Sequence, residues 1–197
     1  MIDWENPTVL EGKKVILAPL EKEHKYDLIA AAKDGNLWEL WYTSVPSENN
    51  IDEYINAALR HRQNKTALPF VVIHKATNSI IGSTRYCNVD RVNRRVEIGY
   101  TWYAKSFQRT GINTECKYLL LQHAFETYET IAVQFQTNWF NYKSRNAILR
   151  LGAKQDGVLR NHRIDQNGYL RDTVVFSIIN SEWKTVKRSL EFEMKKY

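Results

Sequence analysis

Cysteine is scarce in this chain. Cys87 and Cys116 are the only two in 197 residues, too few and too isolated for a disulfide framework or a zinc site. The five histidines are scattered singly, so no metal is expected. No apolar run is long enough to span a membrane, and the N-terminus lacks a signal-peptide pattern. A cytoplasmic protein with no membrane partner is therefore expected. With 8 glycines and 4 prolines there is no linker-like or low-complexity tract, and no internal repeat, so one domain over 1–197 is expected. What the chain does have is 43% hydrophobic and 12% aromatic residues, enough for a packed core. A net charge of +6 suits an acidic ligand, a nucleic acid or a plain solvated basic face. No aromatic-basic ribonucleoprotein signature favours direct nucleic-acid binding.

The stretch from Val96 to Glu126 organises the rest. Val96, Ile98, Tyr100 and Trp102 alternate with Glu97, Gly99, Thr101 and Tyr103, which predicts a strand with the first set on one face and the second on the other. Further on, Ile112, Cys116, Leu119, Leu120 and Ala124 recur at helical spacing, with Leu121 and Phe125 widening the stripe. The loop between them, Gln108-Arg109-Thr110-Gly111-Ile112-Asn113, places a glycine at a helix start. Free backbone N–H groups at the positive end of a helix dipole suit a phosphate; a glycine needed only for steric reasons is the plain alternative. A P-loop and a dinucleotide fingerprint are both excluded, because neither Gly-Lys-Ser/Thr nor G-x-G-x-x-G is present. Gly99, inside an otherwise apolar strand, marks a bulge or the close approach of a ligand.

In chain order, strands are predicted at 13–19, 69–74 and 80–88, the last two joined as a hairpin through Thr77-Asn78-Ser79. Helices are predicted at 21–34 and 50–64, with an aromatic, loop-like segment at 36–49 whose Trp38, Trp41 and Tyr42 either wall a cleft or cover a core. The segment 131–138 alternates and follows a helix, so it should run parallel to 96–103. Asn141 is a good N-cap and Gly152 a good stop for a helix over 142–151. Asn167-Gly168 joins strands at 158–164 and 169–179, and an amphipathic helix carrying Val186, Leu190 and Met194 closes the chain.

Val96–Glu126 resembles motif A of the GNAT superfamily of acetyl-CoA-dependent N-acetyltransferases, a strand, a Q/R-x-x-G-x-G/A loop and a helix. Asn113 stands at the last glycine or alanine, as is common in the ribosomal-protein-alanine (RimJ/RimL-like) branch, and still offers a backbone N–H. Two more blocks match in order: Thr137 to Ser144 with Leu151-Gly152-Ala153, and Gly157 to Arg160 with Asp165 to Gly168, Arg171-Asp172 and Glu182-Trp183. The element order agrees as well, so the resemblance covers nearly the whole chain. It implies an α/β (α+β) fold, a mixed, largely antiparallel sheet flanked by helices, in which the parallel strands 96–103 and 131–138 splay apart.

The resemblance also implies the chemistry. A primary amine would attack the thioester of acetyl-CoA, the co-substrate, directly in a ternary complex. The loop Gln108, Arg109, Thr110, Gly111, Ile112, Asn113 and Thr114 would wrap the pyrophosphate. Trp102, Tyr103 and Asn138 would flank the pantetheine arm in the splay, and Asn141 would hold it. Ser144 would protonate the leaving thiolate; the alternative is a bland first-turn residue, and Asn141 also reads as a helix cap. Glu97, the acid on the polar face of the strand, would be the base, with a salt bridge to Arg95 or Arg85 as the alternative. The ribosomal-protein enzymes have another Glu on the strand after the Leu-Gly turn, and Arg163 aligns there. An α-amine has a pKa of about 7.7–8.0 against about 10.4 for lysine, so an enzyme without a strong base favours a protein or peptide N-terminus. A free small-molecule amine is the alternative acceptor, and a non-catalytic acyl-CoA- or RNA-binding module the alternative of another class. A monomer or a homodimer is compatible with all of this.

Overall fold

The computed structural model describes residues 8–165 and 167–196. Its eight strands among those residues are β1 (Leu10–Glu11), β2 (Val15–Pro19), β3 (Leu68–His74), β4 (Ser79–Asp90), β5 (Arg95–Tyr103), β6 (Ala132–Asn138), β7 (Lys154–Ile164) and β8 (Leu170–Ile179). They form one sheet in the order β1-β2-β3-β4-β5-β6-β8-β7. Every neighbouring pair is antiparallel except β5 and β6, which run parallel. The helices are α1 (Lys25–Lys33), α2 (Ile51–Gln63), α3 (Ile112–Gln122), α4 (Tyr142–Arg150) and α5 (Asn180–Met194). This is the mixed, largely antiparallel architecture expected from the sequence. The two-residue β1 is new, because a pair of residues carries no periodicity.

Helices cover the two faces unequally. On one face Ile112, Cys116 and Leu120 of α3, Ile148 of α4, and Trp183, Val186 and Leu190 of α5 pack on Val96, Ile98, Val133, Phe135, Val174 and Phe176. On the other, α1 and α2 bring Leu28, Ala32, Ile55 and Ala58 onto Val71 and Trp102. That second core stops at β5, so among the described residues no helix lies on the second face of β6 and β8. The aromatic segment is divided: Trp38 and Leu40 pack against the second core, whereas Trp41 is exposed and touches Phe140, with ring centroids 5.7 Å apart.

β5 departs from simple alternation. Opposite the step from Ser83 to Arg85 on β4, it advances from Gly99 to Trp102, one residue more. This is a β-bulge beside Gly99, with Tyr100 at φ +51. The extra residue reverses the phase. Val96, Ile98 and Tyr103 belong to the α3-side core, but Trp102 belongs to the α1–α2 core. The expected grouping of Tyr100 and Trp102 with Ile98, and of Tyr103 with Glu97, is thus corrected beyond Gly99.

Lys117 of α3 lies against the bulge, buried, with its Nζ donating to Thr84 Oγ1 (3.3 Å) and to Thr101 Oγ1. Burial lowers its pKa from 10.5 to about 7. An unfolded lysine keeps its proton to about pH 10, so between roughly pH 7 and 10 the unfolded chain binds more protons and stability rises with pH. Lys117→Met should remove the cost while Thr84 and Thr101 keep each other as partners at 2.7 Å. Other groups, the buried Cys87 and Cys116 thiols among them, titrate alike in both proteins, so the calorimetric Tm of the wild type relative to the variant should climb from pH 7 to 9. An equal slope in both proteins would contradict the neutral buried amine.

Candidate active site

The parallel ladder between β5 and β6 is short. It pairs Arg95 with Ala132, Val96 with Val133 and Glu97 with Gln134, and then ends. β6 continues as far as Asn138 bonded only to β8, and β5 as far as Tyr103 bonded only to β4. From Ile98 and Phe135 onward the two strands face an open seam. Backbone groups along such a seam need a partner and can accept an extended chain as an added strand.

One end of the seam runs into the glycine loop. The first hydrogen bond of α3 joins Glu115 N–H to the Gly111 carbonyl at 3.1 Å, so the N–H groups of Ile112, Asn113 and Thr114 are first-turn donors with no partner inside the helix. Gly111 sits at φ +87, where only glycine is free of strain. Arg109 has φ +64. The loop is braced internally: Gln108 Nε2 donates to the Tyr103 carbonyl (3.0 Å) and Thr110 Oγ1 to the Phe107 carbonyl (2.7 Å). Arg109, Gly111, Asn113 and Thr114 line a hollow, and Arg150 from α4 closes its side. Two arginines lining the same hollow as first-turn N–H groups are the donor set that suits a polyanion. The Ile112 side chain points into the core instead. So do those of Trp102, whose Nε1 donates to Tyr54 Oη at 3.3 Å, and Tyr103; at the seam these two present backbone only.

The β6–α4 junction lies across the seam. Asn138 is buried, and its Oδ1 accepts the Phe140 N–H at 2.9 Å. Asn141 is the N-cap of α4, its side chain accepting the Ser144 N–H at 3.0 Å. The capping role leaves its amide NH2 uncommitted, and Ser144 sits half-buried in the first turn.

Glu97 closes the paired part of the ladder, 8% exposed. Neither expected salt bridge forms: among the described residues it has no ion pair within 4.0 Å, to Arg95, Arg85 or any other cation. Asn88 Nδ2 donates to its Oε2 at 2.8 Å. Burial raises its pKa above the ordinary carboxyl value, opposed by the Asn88 bond and the Arg163 charge. A Cβ on Gly99 would stand 3.1 Å from Glu97 Oε1, so the carboxylate leans over the glycine. In the register, Glu97 pairs with Gln134, and Asn138 with Thr173, which puts Glu97, Gln134, Gln136, Thr173 and Arg171 on the face that no helix covers.

That face is unusual in its hydrogen bonding. Of the eight buried side-chain polar atoms without a partner among the described residues, three are here, Gln136 Oε1, Arg171 Nε and Thr173 Oγ1, and two more, Arg85 Nε and Nη2, lie on the same side of the sheet at β4, beside Tyr54 of α2. Buried polar groups are nearly always satisfied, so their concentration beside one seam points to a ligand. Asn88, Tyr54 and Arg150 are members that sequence reasoning missed, and Arg85 is one that it named only as a salt-bridge partner of Glu97. No motif marks them, and only the bulged register and the packing of α2 and α4 bring them in. A separate hollow on α1, between Lys25, Tyr26 and Lys33, shares no lining residue with the seam. Among the described residues no group of three or more His, Cys, Asp and Glu side chains is arranged to hold a metal.

Residues 14–154 match the model of the acetyltransferase (GNAT) domain. YdaF of Bacillus subtilis strain 168, provisionally named a ribosomal N-acetyltransferase, is 37% identical over 109 residues, 55% of this chain and 58% of its own length, so the match spans little more than half of that protein. A provisionally named acetyltransferase of T. thermophilus superposes with a TM-score of 0.83 at 30% identity, covering 97% of this chain and 99% of its own. A GCN5-related N-acetyltransferase from Brucella melitensis superposes with a TM-score of 0.87 at 26% identity, covering 98% and 87%.

Proposed function

The chain belongs to the GNAT acetyltransferase family, and from that premise we propose that it transfers the acetyl group of acetyl-CoA to the α-amine of a protein or peptide N-terminus. The observation that carries this is the open seam between β5 and β6, with the Gly111 loop at one end and the buried Glu97 on its bare face. The residues fit the co-substrate: first-turn N–H groups, Arg109 and Arg150 suit its phosphates, and unpaired strand edges suit its amide-bearing arm. Acetyl-CoA supplies an activated acetyl thioester.

The chain's own part is to position the amine and move two protons. Glu97, with its pKa raised by burial, accepts a proton from the amine, directly or through water, while Asn88 holds the carboxylate in place. Ser144, in the first turn of α4, gives a proton to the leaving thiolate. The relative named for ribosomal acetylation makes a ribosomal protein N-terminus a natural first acceptor. The test is thiol release from acetyl-CoA with and without a panel of N-terminal peptides and small amines. Amine-dependent release with acetylated product by mass spectrometry is expected; coenzyme binding without release on any amine would leave a binding module.

Ser144→Ala should lower kcat on the order of 10²-fold with little change in acetyl-CoA affinity. The Asn141 cap bonds the backbone N–H of residue 144, so it survives the substitution and helix loss does not confuse the result. Steady-state kinetics beside calorimetric binding check this. Unchanged turnover would assign the proton to another donor or to water.

A further inference from the structure

Arg85 is 2% exposed and is among the largest fully buried side chains. Among the described residues its guanidinium has no carboxylate within 4.0 Å. Two rings lie against it instead, Tyr100 at 3.9 Å and Tyr54 at 5.0 Å from their centroids. Among the described residues its Nε and Nη2 are buried and have no hydrogen-bond partner. These two share one edge of the planar group, and their N–H bonds run parallel, which is the fork that takes both oxygens of a carboxylate. Aromatic contact holds the plane and leaves the edge unanswered. A buried cation in that condition is costly unless something pairs with it.

The position of this edge suggests what pairs with it. Arg85 is opposite Gly99 and Cys87 is opposite Glu97, so Arg85 and Glu97 lie two residues apart, about 7 Å along the ladder. Glu97 leans over Gly99 toward that gap. Tyr100, exposed on the bulge at φ +51, is the nearer of the two rings on Arg85. Arg163 and Arg171 lie near the same surface: Arg163 is felt by Glu97, and the Arg171 pKa is lowered by burial and by Arg163. The site is therefore rich in positive charge with one carboxylate, an arrangement for an acceptor bearing both an amine and an acid.

We propose that the acceptor carries a carboxylate a few bonds from its reacting amine, and that Arg85 receives this carboxylate while Glu97 receives the amine. The proposal rests on the acetyl-transfer reading for the identity of the amine, but the anion site stands on the geometry of Arg85 alone. An acidic first residue of a peptide and a small amino acid share this chemistry.

Binding by calorimetry, with and without saturating coenzyme A, tests it on two pairs matched in amine and size: Asp-Ala-Ala-Ala-amide against Asn-Ala-Ala-Ala-amide, and β-alanine against β-alaninamide. In each binding pair the carboxylate member should bind at least about 10-fold more tightly. Arg85→Met should bring the preference within about 2-fold, and Arg85→Lys should keep part of it, since a point charge remains without the fork. The peptide and amino-acid pairs show which source fits. No binding of either acidic probe, equal binding of both members to the wild type, or a preference that survives Arg85→Met would overturn the proposal. If Arg85→Met does not fold, the wild-type pairs and Arg85→Lys decide. Thiol release on the same probes keeps the two readings apart. Preference in binding without thiol release defeats acetyl transfer and leaves the carboxylate site; thiol release with no preference defeats the carboxylate site alone.

Discussion

Gly111→Asp is expected to weaken acetyl-CoA binding by about 100-fold or more in a protein that still folds. Gly111 occupies the left-handed region at φ +87 immediately before α3. Aspartate tolerates that region better than most residues, so the backbone cost stays small against the stability of the fold. The effect on the ligand is larger for two reasons. The new carboxylate lies beside the N–H groups of Ile112, Asn113 and Thr114 and can take them for itself, as a helix-capping acid does. It also faces the hollow where Arg109 and Arg150 converge, cancelling the field that attracts phosphate. Losing one or two charge-assisted hydrogen bonds at about 1.5–3 kcal/mol each accounts for the predicted factor. Gly111→Ala separates the causes, since it brings the backbone strain without the charge and should show a smaller loss. Calorimetric titration of both folded variants with acetyl-CoA is the check, and undiminished affinity in Gly111→Asp would remove the loop from the coenzyme site.

Glu97→Gln is expected to lower kcat/KM on the order of 10²-fold near neutral pH while leaving acetyl-CoA affinity unchanged. Glutamine keeps the length and the hydrogen bond from Asn88, so the change removes charge and basicity with little repacking. The pH dependence identifies the cause. Burial raises the Glu97 pKa, so the wild-type rate should fall as pH drops through that raised value and the carboxylate takes up a proton. The variant has no such limb. As pH rises past the pKa of the amine itself, the acceptor is already neutral and the gap between the two proteins should shrink. A loss of equal size at every pH would mean that Glu97 positions the acceptor. No loss would assign the proton to a water chain.

Much of this was legible in the residues. Alternation over 132–138, the helical stripe from Ile112, the Asn141 cap, and Gly152 and Gly168 at φ +92 and +83 are local features, and local rules found them. Gly99 announced a bulge, but its effect on phase was not visible, because a one-residue insertion in a strand shows only against its partner β4. The sequence therefore placed Glu97 on the bare face correctly and put Tyr103 beside it wrongly. Asn88, Tyr54 and Arg150 were out of reach for the same kind of reason, and Arg85 was read only as a salt-bridge partner for Glu97. Each lies outside any motif, and its relation to the seam is a product of register and helix packing. Glu97 without its salt bridge is a similar case: Arg95 and Arg85 are near in sequence or across the ladder, but Asn88 holds the carboxylate and Arg85 is held by rings.

The most direct measurement is backbone hydrogen exchange with and without acetyl-CoA. If the coenzyme arm lies along the seam and its phosphates on the loop, protection should appear in 98–103, 135–138 and 109–114, with little change in β2 and β3. Protection centred elsewhere, for example on the α1 hollow at Lys25 and Lys33, or none at a saturating concentration, would contradict it.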